Sequence, residues 1–203
     1  MILVGLTGGL ASGKTTIAGL FLECGAFLIQ ADQLARTVVA PGRIAWKEIV
    51  KTFGPHVLQA DRTLDRGVLA ELVFRNPHKL SVLNRIVRPR VAREQVRQTN
   101  VIARQHPNAV IIYDAALLIE ARAHERMDRI IVVTANQPIQ IQRARQRDGL
   151  TKKEALARIR GQLPLRTKRR FADYILDGTL PIARLRPKVR QLYREFLQEA
   201  AMP

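Results

Sequence analysis

Residues 5–16 read GLTGGLASGKTT and stand directly behind the apolar run Ile2-Leu3-Val4. Gly8 to Thr15 match G-x-x-x-x-G-K-[ST], a spacing whose backbone N–H groups wrap a nucleotide's phosphates while the next helix aims its positive end at them. Glycine permits that close approach. Lys14 is placed to neutralise the β- and γ-phosphates, and the Thr15 hydroxyl to ligate a bridging Mg²⁺. A glycine-rich turn with a stray lysine would match the same letters, so context decides. Ile2 to Thr7 reads as a short buried strand, and Thr16 to Cys24 carries Ile17, Ala18, Leu20 and Phe21 at helical spacing. Strand, loop, helix is the context a phosphate loop requires. The expected nucleotide contacts are Gly9, Leu10, Ala11, Ser12, Gly13, Lys14, Thr15 and Thr16.

Four further short apolar runs follow: AFLIQAD (26–32), NAVIIYDAA (108–116), RIIVVTA (129–135) and YILDG (174–178). Each is too short for a helix and is spaced from the next by helical stretches. They predict a three-layer α/β/α domain around a five-stranded, largely parallel, doubly wound sheet. Ligands in such sheets collect at the carboxyl ends of the strands. The phosphate loop, Gln30 with Asp32, Asp114 and Asp177 all fall there. Residues 44–104 read as a helical insertion punctuated by Pro41-Gly42, Gly54-Pro55, Asn76-Pro77 and Pro89. A second helical excursion, 137–171, is rich in arginine and is a candidate lid over bound ATP. The nucleotide core is then 1–43, 105–136 and 172–203.

With 203 residues and 47% hydrophobic content, the chain can bury a sizeable core. It has no run of about 18 uncharged apolar residues, and Met1 leads straight into a core strand, so the cytoplasm is the expected compartment and no membrane partner is expected. Cys24 is the only cysteine, which excludes intramolecular disulfides and CxxC metal sites. The four histidines lack metal-ligand spacing. Lys and Arg number 34 against 17 Asp and Glu, a formal +17, which calls for an anionic partner. The arginines cluster in 85–98 and 143–170 and suit a polyphosphate substrate. No aromatic-interleaved strand or DNA-reading motif supports nucleic acid.

Phosphoryl transfer needs clamped phosphates, a metal, and a group that orients the accepting hydroxyl. In LIQAD, positions 30 and 32 lie two apart on a predicted strand and face the same way. Asp32 is therefore a candidate base and, beside Thr15, a candidate metal contact. Capping a helix over Gln33 to Val39 is the other role its position allows. Pattern alone leaves both open.

The ordered series GLTGGLASGKTT, QADQLARTVVAPG, LDRGVL, LNRIVRP, ALLIEA, QIQRARQRDGLT and GQ…K…ADYILDG resembles the dephospho-coenzyme A kinases, nearly end to end. That resemblance implies ATP-dependent phosphorylation of the 3′-hydroxyl of dephospho-CoA with Mg²⁺. It implies Asp32 as base, Arg143 and Arg147 on ATP phosphates, and Asp177 near the nucleotide. It further implies a dephospho-CoA pocket bordered by Thr7, Asp32, Arg36, Leu64, Arg88, Leu117, Glu120, Gln162 and Lys168. Several positions depart from the family pattern. Gln30 stands where an aspartate is usual, Arg88 where a histidine is usual, Ala116 where a proline is usual, Ala11 replaces a glycine, and Gly178 follows Asp177 in place of asparagine. These departures leave room for a kinase with another nucleotide-like acceptor or a catalytically weak nucleotide-binding paralogue, and the charge leaves room for a basic P-loop protein that associates with nucleic acid.

Overall fold

The computed structural model describes residues 1–74 and 76–202. Its first unit comprises Met1–Gln30 and Thr99–Pro203, and its second Ala31–Gln98. The first is built on five strands: β1 (Ile2–Gly8), β2 (Phe27–Gln30), β3 (Val110–Asp114), β4 (Arg129–Thr134) and β5 (Tyr174–Asp177). They run in the order β2-β3-β1-β4-β5, and every neighbouring pair is parallel.

Alternation along β1 separates two faces. Ile2, Val4 and Leu6 point into a core with Ile17, Leu20 and Phe21 of α1 (Lys14–Glu23) and Leu185, Val189 and Phe196 of α9 (Ile182–Ala201). On the other face Gly5 leaves room for the segment between β3 and β4, since a Cβ there would stand 2.7 Å from Leu118 and 2.9 Å from Met127. All seven residues of β1 are buried, as a central parallel strand requires. Register brings functional positions level: Asp114 lies opposite both Leu6 and Gln30, and Asp177 opposite Thr134.

The second unit contains α2 (Ala31–Val38), α3 (Ile44–Phe53), α4 (Arg66–Phe74) and most of α5 (Pro77–Gln105). Ala45, Ile49, Val57, Leu64, Leu69, Val73 and Ile86 form its own core. After β4 the first unit resumes with α6 (Gln137–Asp148), α7 (Lys152–Arg160) and the single turn α8 (Leu165–Lys168). No helix among the described residues is long and apolar enough to cross a membrane.

Three local expectations are corrected. Strand β2 ends at Gln30 and α2 opens at Ala31, so Asp32 is not a strand residue paired in direction with Gln30. Its place in the first helical turn suits an acid, because the helix dipole is positive there. Helix α1 begins at Lys14, two residues before the apolar periodicity does. Helix α5 runs through Pro89, which the sequence suggested as a break. The ring costs the helix one bond, to the Arg85 carbonyl, and the remaining turns carry it across.

Candidate active site

The phosphate loop leaves β1 at Gly8 and enters α1 at Lys14. Gly8 has no room for a side chain: a Cβ would meet the Val133 carbonyl at 2.6 Å and Ser12 Oγ at 2.5 Å. Gly13 takes a left-handed backbone, φ 96°, as the residue before the helix, and no side chain caps α1. The first-turn N–H groups of α1 are therefore left for an anion. Ser12 is 1% exposed, and its Oγ has no hydrogen-bond partner among the described residues. Thr15 and Thr16 are exposed.

Lys14 makes an ion pair with Asp114 at the end of β3. Asp114 is 7% exposed and Lys14 17%, so water screens the pair little. Asp114 thus supplies a carboxylate level with Gln30 on the neighbouring strand. The sequence marked its position at the strand end, but the partnership with Lys14 spans the chain and only the folded sheet reveals it.

The loop is buttressed on both sides. At one end Gly178, after β5, lies so close that a Cβ on it would stand 1.9 Å from the Ser12 carbonyl. Arg143 of α6 donates to the Gly178 carbonyl at 2.8 Å. Asp177 accepts from the Thr179 hydroxyl (2.7 Å) and N–H (2.9 Å), which hold its carboxyl below the usual range. At the other end the Leu10 N–H donates to Gln162 Oε1 at 3.1 Å. Arg147 is instead engaged with its neighbour Asp148 through two bonds of 2.8 and 2.9 Å.

Thr7, Glu120 and Lys168 meet in one network. The Thr7 hydroxyl and Lys168 Nζ both donate to the Ala116 carbonyl, at 3.1 and 2.6 Å. Lys168 is fully buried and pairs with Glu120 at 3.0 Å; Glu120 also accepts the Leu163 N–H at 2.9 Å. Leu117, in the same segment, is 46% exposed.

The remaining positions belong to the second unit. Asp32 is exposed, and its carboxylate makes no hydrogen bond or ion pair among the described residues, so it does not cap α2. Arg36 follows one turn later on the same helix face and is exposed too. Arg36 and Leu64 line a cleft of about 450 Å³ with Thr63, Asp65, Arg66 and Gly67. Arg88 is exposed on α5.

Residues 2–182 match the family model described as dephospho-CoA kinase. The dephospho-CoA kinase of Moorella thermoacetica is 37% identical over 201 residues, 99% of this chain and 95% of that protein. A Thermus thermophilus crystal structure superimposes with TM-score 0.83 at 29% identity, covering 96% of this chain and 97% of that one. The dephospho-CoA kinase structure from Campylobacter jejuni, at 24% identity, shares the fold with TM-score 0.73 over 97% and 98% of the two chains. A glycine cradle with an unpartnered buried hydroxyl, a lysine at its lip and end-to-end similarity to these proteins lead to one assignment: the chain belongs to the dephospho-CoA kinase family.

Proposed function

We propose that this chain transfers the terminal phosphoryl group of ATP to the 3′-hydroxyl of dephospho-CoA, giving coenzyme A. The observation that carries the reading is the anion cradle, in which the Ser12 hydroxyl and the first N–H groups of α1 lack partners among the described residues while Lys14 pairs with Asp114. Phosphate oxygens satisfy all of these donors at once. Lys14 then exchanges a carboxylate for the phosphate chain and neutralises charge that grows on it in the transition state.

Among the described residues no cluster of three His, Cys, Asp or Glu side chains could hold a metal. Mg²⁺ fits instead as an ion carried by the nucleotide and held by Thr15 and water. When bound it neutralises the β- and γ-oxygens.

Asp32 is the group we assign to the acceptor hydroxyl. Its carboxylate has no partner among the described residues and sits at the start of α2, free to accept a hydrogen bond that orients the attacking oxygen. A loose transition state demands orientation more than basicity. Arg36, Leu64 and Arg88 are assigned to the dephospho-CoA side, with the two arginines serving its phosphates. Arg143 and Asp177 are assigned to the nucleotide side.

The direct test incubates the protein with Mg-ATP and dephospho-CoA and weighs the product. Coenzyme A is expected; recovery of unchanged dephospho-CoA would end the proposal. Asp32→Asn is expected to lower kcat by about 10²–10⁴ with ATP affinity retained, and Lys14→Ala to weaken both.

A further inference from the structure

Two side-chain amides lie against consecutive residues of the phosphate loop, and they come from the two ends of the excursion 137–171. Gln162 is one, with its oxygen on the Leu10 N–H. Gln140 is the other. Asn136 caps α6 by accepting the Ile139 N–H at 3.0 Å, which fixes the first turn directly after β4. Gln140 therefore stands on the same helix face as Arg143 and the fully buried Ala144.

Gln140 lies on Gly9 so closely that a Cβ there would stand 2.2 Å from its Nε2 and 3.8 Å from its Oε1. The nitrogen end of the amide is thus the end that faces the loop. The motif demands glycine at positions 8 and 13, not at 9. Gly9 is explained by the glutamine resting on it. Gln140 is 6% exposed as a residue, and its carboxamide makes no hydrogen bond among the described residues. Its two amide atoms are not among the buried unpartnered ones, so the amide opens to solvent beside the loop, where a ligand can reach its two N–H donors.

We propose that Gln140 contacts the nucleotide directly, its carboxamide N–H groups donating to a phosphoryl oxygen above Gly9. The inference rests on the ATP-binding reading above. A neutral donor contributes direction without adding charge, and it ties the base of α6 to whatever the loop holds.

Calorimetric titration with Mg-ATP, and with inorganic tripolyphosphate as a probe lacking the nucleoside, tests this. Gln140→Leu keeps the buried volume and removes the donors; Gln140→Met serves if that variant fails to fold. Either is expected to raise Kd about tenfold for both ligands, with the thermal midpoint undiminished. Gln140→Glu sets a carboxylate against the phosphates and is expected to bind more weakly still. Binding of both ligands by the Leu or Met variant within twofold of wild type would overturn the proposal and leave the nucleotide reading standing. Failure of the wild-type protein to bind Mg-ATP would remove both.

Discussion

Ala11 holds a left-handed backbone, φ 51°, where an L side chain is disfavoured by about 1–2 kcal/mol. Ala11→Gly relieves that strain, offset by about 0.4–1 kcal/mol of added freedom in the unfolded chain. A net gain of somewhat under about 1 kcal/mol is expected, a rise of about 2 °C in the thermal midpoint. Gly178 poses the opposite problem, since the Ser12 carbonyl it faces is backbone and can yield only if the loop moves. Gly178→Ala is expected to cost about 1–3 kcal/mol and to weaken Mg-ATP binding at least tenfold by titration, with the rest of the sheet intact. The motif made the loop residues legible at this scale, because their spacing is set by the phosphates they wrap. Gln140 was illegible, because what makes it notable is burial against Gly9, remote in the chain.

Between residues and the whole lie the elements, where the strands could be read and the junctions could not. Five apolar runs became five parallel strands because burial on both faces leaves a continuous hydrophobic signature. The Gln30–Asp32 stretch misled because apolar residues run up to the boundary and nothing local marks where extension yields to helix at Ala31. Pro89 misled for the converse reason, since a 29-residue helix can forgo one bond. The segment after α7 is tied down by Lys168, fully buried against Glu120 and the Ala116 carbonyl. Glu120→Ala leaves that cation without its carboxylate and is expected to cost about 3–5 kcal/mol, lowering the thermal midpoint by about 10 °C. On α5, hydrogen bonds from Arg97 hold the Glu94 carboxyl down at about 2 against an ordinary 4.5, helped by Gln98. A depressed carboxyl stabilises the fold above its ordinary value, and the contribution fades as pH falls from about 4.5 towards 2. Arg97 is 63% exposed, so the effect is modest. In a pH series of thermal midpoints, Glu94→Gln is expected to flatten the loss across that window.

For the molecule as a whole, the excess of 34 basic over 17 acidic residues sets a long-range field that favours polyanionic ligands. Added salt screens it over about 8–10 Å at physiological strength. KM for ATP is accordingly expected to rise severalfold between about 20 and 200 mM monovalent salt, read from initial rates, while kcat changes little. Sequence composition made that field plain without saying which ligand it serves. Chain order carries a different consequence. Strand β1, ahead of the other four in the chain, sits in the middle of the sheet, and both its neighbours, β3 and β4, lie far downstream of it. Until β3 and β4 have been made, β1 therefore has neither of its neighbours in the sheet. Such long-range parallel pairing forms slowly and is exposed to aggregation meanwhile. Yield on refolding or overexpression should thus depend on chaperones that shield β1 until β3 and β4 are available to pair with it.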